Sequence, residues 1–154
     1  MSDYRIVEDD LTGAQVIALL AFHLEEMLRL SPPCKVHAMP VERLRQLDVT
    51  FYSAWEEDRL AAVGALREID AERGELKSMR ATPEYRGKGA GEAILVHLVG
   101  EARRRGYSWL GLETGRPPEY LPAQNLYRKH GFTDCADFGD YVGDEFSMCM
   151  SRAL

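Results

Sequence analysis

The sequence predicts an α+β domain built on a mixed, mostly antiparallel sheet of about six to seven strands, with one parallel βαβ crossover. Three observations carry this prediction. Strand-like segments at 49–55, 60–69 and 75–81 follow one another with only short polar turns between them, the pattern of an antiparallel meander. A glycine-rich run then opens a segment whose apolar residues recur at helical spacing. Beyond that helix, the strand-like segment 107–113 must return beside the strand that preceded the glycines, which creates the parallel pair.

Taken in order, residues 4–7 read as an edge strand leading into a helix. Val16, Leu19, Leu20, His23, Met27 and Leu30 recur every three or four positions, with Thr12 as the cap and Pro32 and Pro33 as the stop. The proline-containing loop 31–40 is of a kind that borders binding sites, and a short helix is expected over 41–47. In the first meander strand Val49, Phe51 and Trp55 alternate with Thr50 and Tyr52. Glu56, Glu57, Asp58 and Arg59 make the turn, and Gly64 interrupts the partner strand, which implies a bulge or a close backbone approach. A turn at 70–74 feeds the third strand.

The helix after the glycines buries Ile94, Leu95, Leu98, Val99 and Ala102 and runs to about Arg105. Arg103, Arg104 and Arg105 suit its negative C-terminal end, and Gly106 stops it. A last helix is expected over 118–130, ended by Gly131. Phe132 then opens a hairpin that finishes with strand 145–150. There are no repeats, linkers or low-complexity tracts.

A length of 154 residues with 45% hydrophobic content fits one globular domain. Nineteen Lys and Arg against 25 Asp and Glu give a net charge of −6, which argues against general nucleic-acid binding. No apolar run is long enough to span a bilayer, and Asp3, Glu8, Asp9 and Asp10 replace the basic start of a signal peptide, so the expected location is cytoplasmic. Cys34, Cys135 and Cys149 are odd in number and widely spaced, which suggests neither a disulfide framework nor a metal site.

The run Arg86, Gly87, Lys88, Gly89, Ala90, Gly91 has the character of a phosphate cradle. Glycines let backbone N–H groups approach an anion without Cβ interference, and the positive end of the following helix points at the same place. A P-loop would require Lys and then Ser or Thr after its last glycine, whereas Glu92 and Ala93 follow Gly91. By itself such a turn is also an ordinary connection, so its neighbours decide.

Three sets of residues, in order, resemble the motifs of the GNAT N-acetyltransferase family over nearly the whole chain. Arg86, Gly89 and Gly91 match its pyrophosphate motif; Met79, Ala81 and Pro83 match the strand and turn before it. Ala123, Leu126, Tyr127, Gly131 and Phe132 match its closing helix. Glu75, Lys77 and Met79, taken with Leu112, Glu113, Thr114, Gly115 and with Phe138, Gly139, Asp140, Tyr141, resemble a branch of small uncharacterised bacterial acetyltransferases. Where the family often has Asn, three residues before that Ala, this chain has Tyr120, with Asn125 nearby as a substitute contact to the cofactor.

The resemblance implies a three-layer fold with helices on both faces of the sheet and acetyl-CoA as cosubstrate, with no metal. Met79, Arg80 and Ala81 would hold the pantetheine arm through the strand backbone, and the pyrophosphate would rest on Arg86, Gly87, Lys88, Gly89, Ala90 and Gly91. It also implies that Tyr127 protonates the departing thiolate, that an amine is the acceptor, and that a homodimer is expected. Tyr127 has an alternative as a tyrosine packed on the sheet. Glu75, Glu113 or water would take the amine proton.

Other residues carry weaker signals. His23 lies on an apolar helix stripe and reads as a core histidine, and Phe51, Tyr52 and Trp55 read as packing residues. Tyr141 and Asp140 either close over the acceptor or form a turn. Lys88, Arg128 and Lys129 either face outer phosphates or are solvated. The activity expected is direct acetyl transfer from acetyl-CoA to a primary amine. The alternatives are a non-catalytic acyl-CoA-binding sensor or interaction module and, more remotely, a nucleotide phosphate binder.

Overall fold

The structure, a computed structural model, describes residues 4–32, 40–139 and 141–154. Cys34, Asp140 and most of the loop expected at 31–40 therefore lie outside the described residues. The seven strands are β1 (Arg5–Glu8), β2 (Val49–Glu56), β3 (Arg59–Glu68), β4 (Arg73–Ala81), β5 (Trp109–Gly115), β6 (Thr133–Cys135) and β7 (Ser147–Ala153). They form one sheet in the order β1-β2-β3-β4-β5-β7-β6. Every neighbouring pair is antiparallel except β4 with β5, which is the expected parallel crossover.

Alternation along the meander divides the core in two. Tyr52, Ala54, Ala62 and Leu66 pack with α3 (Ala90–Arg104) and with Tyr127 of α4 (Leu121–Lys129). Val49, Phe51, Val63 and Ala65 pack with α1 (Ala14–Leu30) and with Leu44 of α2 (Val41–Leu44). Helices thus cover both faces, and the apolar stripes on α1 and α3 face the sheet as their spacing requires.

Several boundaries differ from expectation for identifiable reasons. Thr12 does not cap α1: Gly13 occupies the cap position, while both the backbone N–H and the hydroxyl of Thr12 donate to Asp10 Oδ1. The helix expected at 41–47 stops at Leu44, where turn hydrogen bonds from Gln46 and Val49 redirect the chain and Asp48 accepts two 2.6 Å bonds from Arg43. The helix expected at 118–130 divides into a 3₁₀ turn, Pro118–Tyr120, and α4. Pro122 lacks an N–H and fits only in a first turn, so α4 starts just before it. Strand β7 starts at Ser147 because Asp144 Oδ1 takes the N–H groups of Phe146 and Ser147 into a turn.

Gly64 meets the expected close approach, while the bulge falls on the strand opposite it. The β3–β4 register shifts here, with Val63 opposite Arg80 and Ala65 opposite Lys77, so Ser78 and Met79 together face Gly64. The bulge therefore lies on β4, where Ser78 has φ 55. A Cβ on Gly64 would stand 2.5 Å from Ile94 Cγ2 and 2.7 Å from Met79 Sδ, so glycine lets α3 settle directly on the bulge.

Candidate active site

Strands β4 and β5 pair over only three positions, Arg73 with Trp109, Gly74 with Leu110 and Glu75 with Gly111. Past that point β4 carries its bulge at Ser78, while β5 stays paired with β7 to its end. The two central strands separate, and a cleft of about 840 Å³ opens between them. Leu76 to Ala81 line one side, Leu112 to Gly115 the other, and α1 contributes His23, Met27 and Leu30.

The glycine run closes one end of this cleft. Gly87 and Gly89 have φ values of 73 and 83, a backbone that disfavours side chains. The first intrahelical bond of α3 runs from Ala93 N to Gly89 O, so the N–H groups of Ala90, Gly91 and Glu92 have no partner within the helix, and no side chain caps it. A Cβ on Gly87, Gly89 or Gly91 would meet nothing within 4 Å. Open space, unpaired donors and the positive end of a fifteen-residue helix together fit a pyrophosphate. Arg86, Gly87, Gly89, Ala90 and Gly91 line the cleft, whereas the exposed Lys88 extends outside it, its ammonium 5.7 Å from the Tyr85 ring.

At the other end, Tyr127 of α4 is buried against Phe132 with ring centroids 5.9 Å apart. Burial pushes its phenol up to about 12, so it is held protonated; the Arg80 cation opposes this weakly. Its hydroxyl makes no hydrogen bond among the described residues, and the residue lines the cleft. Tyr120 also lines it, its ring lying where a Cβ on Gly115 would be 2.3 Å away. Glycine at 115 is what admits this ring at the end of β5. Asn125, expected to substitute for the missing Asn, is exposed and does not line the cleft; its neighbour Gln124 points inward and donates to Gly115 O at 2.7 Å.

The two carboxylates expected to compete as bases have separated. Glu75 is 1% exposed and does not line the cleft. Its Oε1 accepts from Arg67 at 2.9 Å, and its Oε2 accepts from the Tyr141 hydroxyl at 2.5 Å with Lys77 Nζ 3.6 Å away. Both oxygens of Glu75 are thus engaged within a buried network, away from the cleft lining. Tyr141 belongs to the same network, taking a hydrogen bond from Lys77. Glu113 does line the cleft, on the β5 side.

Sequence reasoning passed over two groups. Ser78, through its left-handed backbone, shapes the bulge. His23, read as a core histidine, lines the cleft and accepts a hydrogen bond at Nδ1 from Arg80 Nε at 2.8 Å. The Phe51 and Tyr52 rings are buried packing residues, and with Trp55 they stay out of the cleft. Among the described residues no group of His, Cys, Asp and Glu could hold a metal ion, and no helix is long and apolar enough to cross a membrane.

Comparison with known proteins agrees with this geometry. The chain is 46% identical over 146 residues to the uncharacterised N-acetyltransferase YsnE of Bacillus subtilis (strain 168), covering 95% of this chain and 97% of that one. It is 44% identical over 151 residues to the uncharacterised N-acetyltransferase YedL of Escherichia coli (strain K12), covering 98% and 95%. In fold it is similar to a GNAT family acetyltransferase from Elizabethkingia anophelis with acetyl-CoA bound, at a TM-score of 0.70 and 14% identity, with each chain covered in full at 100%. Residues 18–132 match the Acetyltransferase (GNAT) family, and the chain belongs to that family as an acyltransferase.

Proposed function

We propose that this chain is an acetyl-CoA-dependent N-acetyltransferase that passes the acetyl group directly to a primary amine of a small molecule or peptide within a ternary complex. The observation that carries the reading is the gap between β4 and β5, which starts after Glu75 and Gly111 and joins the unpaired amides at the start of α3 to the Tyr127 side chain. A pantetheine arm laid in that gap would use the open β4 backbone at Met79, Arg80 and Ala81 as a strand edge. Its pyrophosphate would rest on Gly87 to Gly91, beside Arg86.

Held there, the thioester lies within one cleft with the acceptor amine, which removes the entropic cost of bringing them together. The amine nitrogen attacks the carbonyl carbon, a C–N bond replaces the C–S bond, and the nitrogen sheds its proton to Glu113 or through water. The sulfur leaves as thiolate and takes the phenolic proton of Tyr127. The burial that holds this phenol protonated also disfavours an unprotonated thiolate beside it.

Release of free thiol from acetyl-CoA, measured with a panel of primary amines, tests the reading. Amine-dependent thiol release with stoichiometric acetylated amine is expected. Saturable acetyl-CoA binding without release for any amine would instead favour a sensor or interaction module.

A further inference from the structure

Several arginines near this sheet have a carboxylate partner: Arg67 holds Glu75, Arg43 holds Asp48, Arg105 holds Glu101 and Arg128 holds Asp134. Arg80 and Arg86, which both line the cleft, have none among the described residues. Arg80 is partly buried. Its Nε is spent on His23 Nδ1, and its guanidinium carbon lies 5.8 Å from the Phe22 ring centre, as does that of Arg86. These contacts leave its terminal nitrogens without a hydrogen bond or ion pair among the described residues, and the Glu26 carboxylate acts on the cation only from a distance. A partly desolvated cation with no directly bonded anion is costly, and an anionic ligand bound to it reduces that cost.

The side chain of Arg80 leaves β4 on the α1 side. Met79 packs toward Ile94 on the α3 face, whereas Arg80 meets Phe22 and His23 of α1 on the opposite face. Arg80 shares the cleft with His23, Met27, Leu30 and Tyr120, and it lies next to Arg86, which approaches the same Phe22 ring. Across the gap, β5 presents Glu113. A cationic fork on one strand and a carboxylate on the other suit a ligand with charges of both signs.

We propose that the acceptor is an amine that also carries a carboxylate, of amino-acid type, with Arg80 binding the carboxylate as the specificity-determining residue. The proposal rests on the acetyl-transfer reading above. His23 is then a positioning residue, since it acts on the acceptor only through Arg80.

The test compares proteinogenic amino acids, each beside its decarboxylated amine, by thiol release from acetyl-CoA. For at least one pair the carboxylate-bearing member should have a kcat/KM about 10-fold or more above its amine, the range of a charge-assisted hydrogen bond. In Arg80→Gln this ratio should fall toward one; in Arg80→Lys, which keeps the charge without the planar fork, it should lie between. The proposal is overturned if amines equal or outperform every amino acid, if no carboxylate-bearing acceptor is acetylated although acetyl-CoA binds, or if the ratio survives in Arg80→Gln. A wild-type chain that fails to bind acetyl-CoA overturns the acetyl-transfer reading itself, which makes the two failures distinguishable.

Discussion

Arg80 Nε donates a 2.8 Å hydrogen bond to Nδ1 of His23, so a histidine on an apolar helix stripe holds the guanidinium at the mouth of the cleft. As an acceptor at Nδ1, His23 carries its proton at Nε2 and is neutral. Burial, then the cations of Arg80 and Lys77, push its pKa from 6.5 down to about 3. Between those values the unfolded chain binds a proton that the folded chain excludes, so this group's contribution to stability falls as pH drops below 6.5. At pH 5 the loss is about 2 kcal/mol. His23→Gln keeps an acceptor for Arg80 and removes the titration. Urea midpoints measured at pH 7.5 and pH 5 should therefore lie further apart in the wild type than in the variant; equal separations would contradict a neutral buried His23.

Glu75 and Glu113 should fail in different ways. Glu75→Gln leaves the Arg67 and Lys77 charges without their buried partner and should cost about 3 kcal/mol in unfolding free energy. Glu113→Gln should instead lower kcat/KM for the amine at neutral pH and cost less stability than Glu75→Gln. Denaturant titration beside thiol-release kinetics separates the two, and the reverse pattern would reinstate Glu75 as the base.

Tyr127→Phe removes a hydroxyl that has no protein partner among the described residues, so the fold should persist. Loss of a general acid should lower kcat about 100-fold. Circular dichroism melting and single-turnover thiol release check both parts; an unchanged rate would reduce Tyr127 to a packing residue.

Gly64→Ala places a methyl 2.5 Å from Ile94 Cγ2 and 2.7 Å from Met79 Sδ. Overpacking here should destabilise the chain by about 1–3 kcal/mol and disturb the β4 bulge that lines the cleft. A variant as stable as the wild type would show that α3 can move away from the sheet at no cost.

The parts of the site that follow from local pattern were legible in the sequence. The glycine run, the helix it opens and the single parallel crossover depend on residues close together in the chain or on connection rules. Motif resemblance then placed Tyr127 on the closing helix. What was not legible depends on distant partners. Glu75 and Glu113 read alike as strand carboxylates, and what sets them apart is that Glu75 is enclosed by Arg67 and by Tyr141, 66 residues away. His23 and Arg80 are separated by 57 residues, and no periodicity announces their bond. The bulge was expected from Gly64, but that glycine marks the opposing strand, and Ser78 is not a residue whose type suggests a positive φ. Asn125 is different, because helix phase carried the signal: Ala123 and Tyr127, four apart, share a face that excludes position 125.

On the acetyl-transfer reading the glycine run holds the pyrophosphate of acetyl-CoA. Gly91 tests it most directly, because it lines the cleft without a positive φ, and a Cβ there meets no protein atom within 4 Å. Calorimetric titration of wild type and Gly91→Leu with acetyl-CoA, alongside thermal melting, isolates the cradle from the fold. The account predicts saturable binding to the wild type and affinity at least about 10-fold weaker in a variant that melts normally. Absence of wild-type binding at millimolar donor, or undiminished affinity in the folded variant, would contradict it.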